Sequence, residues 1–235
     1  MNPNHIQDRK LMNVLDCEDL APILAEKVVK TYVEFTPGEG PKPHAEFRMV
    51  LANGVLLEED GKSKTILSCS IGANPGRSDN VVTSVTFRPL TYGDHHRQCF
   101  ASFQFDVSQP NATVRDFVRA LKGNRREEDL SEFVSCKFGR PPVTEGCRDI
   151  VAQWVIRLNE RRLMGWDASE VKSRYTLRRD NLPLQFHKFI AKGYTHSRTE
   201  GSNLEVTADI PMVTGFLADG AIRIKDYRGV RLPYA

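Results

Sequence analysis

The sequence predicts an α+β fold with an antiparallel β-meander in the N-terminal half, a basic helical segment in the middle and short strands at the C-terminus. Apolar residues alternate with period two across residues 44–107, helical spacing follows across 111–193, and alternation returns across 203–226. Because no linker separates these parts, the 235 residues are predicted to form a single α+β domain. The alternative is an N-terminal β domain followed by a helical one.

The N-terminal part begins with a predicted helix and ends in a loop. Residues 19–29 place apolar side chains on one helical face, and Pro22 is tolerated in the first turn. Residues 32–35 are expected to be extended. Residues 36–43 are rich in Pro and Gly, which predicts a loop.

The β-rich part, 44–107, is predicted to be a meander of about five strands. In its first strand four apolar residues alternate with polar or solvent-facing ones: Ala45, Phe47, Met49 and Leu51. Asn53-Gly54 predicts a tight hairpin turn, and Asp60-Gly61 predicts a second one. The strand across 97–107 contains Phe100, Phe103 and Phe105, which cannot all share one face because Phe100 differs in parity, so a bulge is expected.

Helical patterns start at residue 113. Thr113 and Asp116 are placed to cap a helix that buries one apolar face: Val114, Phe117, Val118 and Leu121. A short helix is predicted across 127–136. A longer one is predicted across 149–164, with a terminating Gly165 and an apolar face formed by Ile150, Val151, Trp154, Val155 and Leu158.

Two more helices are predicted after Gly165. The first begins at an Asp167 cap with Glu170 three residues on, and Trp166 can pack on Val171 as a hydrophobic staple. The second spans about 183–193, from Pro183 to Gly193. Alternating residues across 203–226 then predict the terminal strands.

Composition narrows the class of protein. Hydrophobic residues make up 40% of the chain and charged residues 27%, which is typical of a globular protein rather than a disordered one. No apolar run approaches the roughly 20 residues that span a bilayer. The five cysteines are odd in number and include no CxxC pair, which favours reduced thiols in an intracellular, cytoplasmic setting.

No catalytic motif is present, and no cofactor or metal is predicted. The sequence lacks GxSxG, HExxH and GxGxxG, and residues 72–78 lack the spacing and lysine of a phosphate-binding loop. His95 and His96 stand beside Asp94 without a second recognisable ligand group, so we interpret them as solvated loop residues.

The charge distribution is the strongest functional signal. The net charge is +3, but residues 1–109 carry 11 Lys and Arg against 14 Asp and Glu, whereas 110–200 carry 18 against 12. A basic excess on helices is typical of a polyanion-binding surface, although basic residues also solvate ordinary helices. The predicted nucleic-acid-binding residues are Arg115, Arg119, Lys122, Arg125, Arg126, Arg157, Arg161, Arg162, Lys172, Arg174, Arg178 and Arg179.

These observations favour a non-enzymatic, self-associating structural protein that binds nucleic acid, RNA foremost, through its backbone and without sequence specificity. A viral coat or nucleocapsid-like protein is one instance, which would place the chain in a virion or ribonucleoprotein particle. Ile156 on the polar side of its helix and the apolar C-terminal tail favour a homo-oligomer. The alternatives are a protein-interaction or matrix-like module and an enzyme with an unrecognised site.

Overall fold

The N-terminal half forms a six-stranded antiparallel sheet accompanied by a few short helices. The computed structural model describes residues 8–36, 44–59, 61–73, 81–93, 99, 101–122, 132–138, 143–145, 147–165 and 169–173. The six strands are β1 (Arg9–Lys10), β2 (Val28–Thr36), β3 (His44–Glu59), β4 (Lys62–Ala73), β5 (Val81–Leu90) and β6 (Ala101–Asp106). Three further strands extend the sheet: β7 (Glu132–Phe138), β8 (Val143–Glu145) and β9 (Glu170–Ser173).

The strand order differs from that of a simple meander. It runs β8-β7-β5-β4-β3-β2-β6-β9, with β1 paired to β5. Strands β2 to β5 are neighbours in chain order, but β6 crosses to the other side and pairs with β2, so that Phe103 faces Val33. Residues 44–107 therefore supply four strands rather than five, and β2 completes the centre of the sheet.

The helices are short. Two 3₁₀ segments, Leu11–Asp16 and Glu18–Leu20, precede α1 (Ala21–Ala25); α2 spans Val114–Lys122 and α3 spans Cys147–Glu160. The helix predicted across 19–29 ends earlier than expected, because the chain enters β2 at Val28. The predictions for 183–193 and 203–226 lie outside the described residues.

One face of the sheet packs against the helices. The predicted alternation in β3 is confirmed, since Ala45, Phe47, Met49 and Leu51 are buried. Phe47 stacks on Phe117 of α2, with 6.2 Å between ring centroids. The buried face of α3 joins the same core cluster through Val151, Trp154, Val155 and Leu158.

The prediction of a turn at Asn53-Gly54 is wrong. Both residues lie within the continuous strand β3, where the pairing with β4 shifts register between Val50 and Val55. A Cβ on Gly54 would lie 2.7 Å from the Thr65 Cγ2 atom, so Thr65 would have to shift to admit a side chain, and Gly54 serves close packing on β4 rather than a turn. The hairpin turns at the second predicted position, where Gly61 has a φ of +70°.

Two predicted helices are replaced by strands. In place of the helix across 127–136, β7 pairs with β5 and aligns Ser135 with Val81. In place of the helix after Asp167, β9 pairs with β6 and aligns Val171 with Phe103. Glu170 and Val171 therefore do not belong to a helix that a capping box could start, whereas Trp166 and Asp167 lie outside the described residues. In both cases an open strand edge supplies hydrogen-bond partners that outweigh the local helical pattern.

The predicted start of α2 is confirmed. Asp116 Oδ2 accepts hydrogen bonds from the Thr113 backbone N–H at 2.9 Å and from the Thr113 hydroxyl at 2.7 Å. The Asp116 N–H in turn donates to Thr113 Oγ1 at 3.4 Å. Each residue thus satisfies a donor of the other at the helix N-terminus.

Replacing Thr113 by Ala should lower the free energy of unfolding by about 1 kcal/mol, because the hydroxyl acceptor at the N-cap is lost. Urea denaturation followed by circular dichroism measures the change. Thr113→Ser keeps the hydroxyl and serves as the control. Equal stability of the Ala variant and the unaltered protein would show that the cap contributes nothing.

Candidate functional site

The basic residues of α2 differ in how far they reach solvent. Val114, Phe117, Val118 and Leu121 are buried as predicted. Arg119 is exposed, whereas Arg115 and Lys122 are half-buried. These three predicted binding residues are therefore only partly accessible, and Arg119 is the most exposed of them.

An acidic segment packs beside this helix. Residues 11–26 contain four acidic residues and no lysine or arginine, and the 3₁₀ segment Leu11–Asp16 and helix α1 both contact α2. Lys122 Nζ lies 4.0 Å from Asp16 Oδ2. The two side chains are 30% and 82% exposed, so this pair is a weak surface interaction. The acidic neighbour nevertheless reduces the positive potential around Lys122.

The second group of predicted residues lies at the C-terminal end of α3. The Arg162 N–H donates to the Asn159 carbonyl at 2.8 Å, and the Leu163 N–H donates to the Leu158 carbonyl at 2.9 Å. These bonds, and the buried Leu158 and Leu163, form a Schellman motif. Its left-handed residue is Arg162, with a φ of +56°, and not Gly165 as predicted.

Accessibility divides the three arginines of α3 and its terminal turn. Arg161 and Arg162 are exposed. The Arg157 side chain is only 12% exposed, and its Nε lies 3.8 Å from Glu160 Oε2. Arg157 is therefore a poor candidate for contacting a ligand from solution.

Six predicted residues remain, of which the structure describes one. Lys172 belongs to strand β9 rather than to a helix, and pairs with Ser102 of β6. Arg125, Arg126, Arg174, Arg178 and Arg179 lie outside the described residues. Since α2 and α3 pack against each other, the exposed Arg119, Arg161 and Arg162 belong to one helical layer.

The other face of the sheet carries a buried ion pair that the sequence did not reveal. Arg48 of β3 and Glu34 of β2 are both buried. Arg48 donates from Nε to Glu34 Oε2 at 3.0 Å and from Nη2 to Oε1 at 2.7 Å, which is a bidentate pair. The Ser102 hydroxyl donates to the same carboxylate at 3.4 Å.

Two tyrosines and a loop complete this network. The Arg48 guanidinium carbon lies 4.6 Å from the ring centroid of Tyr32 and 5.4 Å from that of Tyr92. Arg48 Nη1 also donates to the Gly93 carbonyl at 2.8 Å, and the Ser68 hydroxyl donates to the Tyr92 carbonyl. The network thereby fastens the segment after β5 to the sheet.

Two buried titratable groups, one in this network and one on the core face of the sheet, favour a structural role. Burial, and next the Glu34 carboxylate, raise the pKa of the Tyr92 hydroxyl well above its usual range, so Tyr92 stays protonated at neutral pH. Burial likewise raises the pKa of the Cys69 thiol far above its usual range, which keeps it an unreactive thiol. Neither group is suited to act as a base or a nucleophile near neutral pH.

A second arginine fastens the N-terminal segment on the same face. Arg88 of β5 donates from Nε and Nη2 to the two carboxylate oxygens of Asp8, both at 2.9 Å. Its Nη1 lies 3.7 Å from Glu46 Oε1. The hydrogen bond with Asp8 is the main cause that raises the pKa of Arg88, and Glu46 adds to it. This contact holds strand β1 against β5.

The described part of the chain has neither a metal-ligating cluster nor a membrane-spanning helix. It contains no group of three or more His, Cys, Asp or Glu side chains arranged to hold a metal ion. His95 and His96 fall outside it. None of its helices has both the length and the apolar character needed to cross a bilayer.

No family model, curated protein or solved structure matches the chain.

Proposed function

We propose that the chain is a non-enzymatic, self-associating protein that binds nucleic acid, RNA foremost, through phosphate contacts and without reading the base sequence. The contacts are made by Arg161 and Arg162 after α3, with Arg119 of α2 in the same helical layer. Half-buried Arg115 and Lys122 flank Arg119 and add to the positive potential. In this proposal the strands predicted across 203–226 belong to the same α+β domain. The protein is located in the cytoplasm, in a virion or in a ribonucleoprotein particle.

One observation carries the proposal: an exposed arginine occupies a backbone conformation that favours glycine. Arg162 has a φ of +56° at the left-handed position of the Schellman motif. An L-residue with a side chain is strained in this region by about 1 kcal/mol or more, and glycine is the usual occupant. Strain retained at an exposed, charged position favours a functional role for the side chain over a role in stability.

The chemistry of the neighbouring pair suits a phosphate backbone. A guanidinium group presents a planar fork of donors that can bind a phosphate with two hydrogen bonds. Arg161 and Arg162 are consecutive and both exposed, so they can contact adjacent phosphates or one phosphate together. Such contacts carry no base information, which is why we expect binding to depend on salt and not on sequence.

Replacing Arg162 by Gly should change stability and binding in opposite directions. The free energy of unfolding should rise by up to about 1 kcal/mol, because glycine relieves the left-handed strain. Affinity for a labelled single-stranded RNA should fall, and the slope of log K against log salt should flatten by about 0.7 for one lost phosphate contact. Urea denaturation and fluorescence anisotropy across a salt series measure the two effects.

A charge-matched control comes from the hairpin. Lys62→Ala removes one exposed positive charge at the tip of the β3–β4 hairpin, far along the sequence from the helical layer. It should leave the salt slope unchanged. If Arg162→Gly and Lys62→Ala weaken RNA binding equally, only the net charge matters and the proposed surface is wrong. RNA binding unaffected by Arg162→Gly at low salt would also remove Arg162 from the site.

A further inference from the structure

The β3–β4 hairpin extends beyond its neighbours as a two-stranded ribbon. Strand β2 pairs with β3 only as far as Leu51, and β5 pairs with β4 only from Ser68 onward. Beyond these points Val55–Glu59 of β3 pairs with Lys62–Ile66 of β4. Within the described part of the chain, no strand pairs with Val55–Glu59 on its other side. That side presents an open edge of backbone donors and acceptors.

This ribbon also exposes apolar side chains. Leu56 is 61% exposed and Leu67 is 38% exposed. Leu56 faces Thr65 across the two strands, and Leu67 is the next residue of β4 on the same side. The opposite side of the ribbon is already used, since Val55 and Leu57 pack against the core. The exposed leucines thus lie on the side that the core does not cover.

We infer that the open edge of β3 pairs antiparallel with the same edge of a second copy, about a two-fold axis at Leu56. This inference rests on the self-association in the proposed function and specifies the surface through which two copies associate. A two-fold interface must be self-complementary, so that every residue of the strand meets its symmetry partner.

The residues of the edge meet that requirement. Pairing about Leu56 sets Leu56 against its own copy and Val55 against Leu57 of the other chain. Glu58 falls opposite Gly54, so no acid faces an acid directly. The pairing ends there, because the Ala52 N–H already donates to the Lys27 carbonyl and the Asn53 side chain donates to Glu26. Apolar residues meet apolar ones at the centre, and the charges lie at the ends.

The other edge of the ribbon is less suited to pairing. Strand β4 carries Lys62 and Lys64 along its free edge. Edge lysines are a common means of keeping strands unpaired. Between Leu51 and Glu59, by contrast, β3 has no lysine or arginine. The ribbon is therefore protected on the β4 side and open on the β3 side.

Disulfide trapping in the full chain tests the axis. At a two-fold axis the two copies of position 56 lie directly opposite, with Cβ atoms about 5 Å apart. Under mild oxidation Leu56→Cys should form a covalent dimer as the main species, well above the unaltered protein with its native cysteines. Val29→Cys is the matched control, because Val29 is 48% exposed on β2 but lies away from the axis. Equal cross-linking of the two variants would overturn the inference.

Sedimentation without nucleic acid provides a second, independent measurement. The unaltered chain of 26.6 kDa should sediment as a dimer at sufficient concentration. Leu56→Lys should raise the dimer dissociation constant by about tenfold or more, since it places two like charges at the axis. A monomer at every concentration, or a dimer that Leu56→Lys leaves unchanged, would refute the edge pairing. Because no RNA is present, neither result depends on the proposed phosphate contacts.

Discussion

Replacing Arg48 by Ala should lower the free energy of unfolding by about 3–5 kcal/mol, the range found when one partner of a buried ion pair is removed. The loss follows from the position of Glu34. Its carboxylate is buried and accepts two hydrogen bonds from Arg48, so the variant leaves a buried charge without its counter-ion. The contacts of Arg48 with both tyrosine rings and with the Gly93 carbonyl are lost as well.

A paired replacement separates the ion pair from simple loss of packing. Changing Arg48→Met together with Glu34→Leu removes both charges while retaining apolar volume, and such replacements are often neutral or stabilising. We therefore expect the double variant to be more stable than Arg48→Ala in urea denaturation. If both proteins are equally destabilised, the stability at this position comes from packing and loop attachment rather than from charge compensation.

Replacing Trp154 by Ala should cost a similar amount, about 3–5 kcal/mol, because it leaves a large cavity in the core. Trp154 is fully buried, and it joins α3 to the same cluster as Phe47 and Phe117. The lost volume cannot be filled by small movements, since the surrounding side chains are already packed.

Two control variants, Trp154→Phe and Arg119→Ala, are compared with Trp154→Ala by the same urea denaturation. Trp154→Phe should be destabilised less than Trp154→Ala, because more of the apolar volume remains. Arg119→Ala, on the exposed side of α2, should change the free energy of unfolding by no more than about 0.5 kcal/mol. A Trp154→Ala variant as stable as Arg119→Ala would show that α3 does not share the core of the sheet.

Sequence patterns predicted the structure correctly where interactions between neighbouring residues determine it. The alternation from Ala45 to Leu51 identified the core face of β3, and the apolar residues of α2 identified its buried face. The Thr113–Asp116 cap was predictable because all of its partners lie within three residues. The Asp60-Gly61 turn followed from the ability of glycine to adopt a positive φ.

Contacts between distant residues decided the remainder. Asn53-Gly54 carries a strong turn signal, yet β3 continues through it because its pairing with β4 resumes at Val55 after a register shift. Strands β7 and β9 form because the open edges of β5 and β6 offer hydrogen-bond partners. The local residue pattern of each segment contains no information about these partners. The pairing of β6 with β2 likewise depends on contacts between residues far apart in the sequence.

The candidate site was likewise predictable from the sequence only in its local properties. The basic excess across 110–200 is a property of the sequence, and helical periodicity correctly placed Arg119 on α2 and Arg157 on α3, since charge and helical period are local properties. Tertiary packing determines which arginines reach solvent: Arg157 is covered beside Glu160, whereas Arg161 and Arg162 are exposed in the turn that ends α3. It also decided that Arg48 is buried beside Glu34, although an alternating strand suggested a solvent-facing residue. The physical reason is that burial depends on which elements cover a face, and that is set by packing between distant parts of the chain.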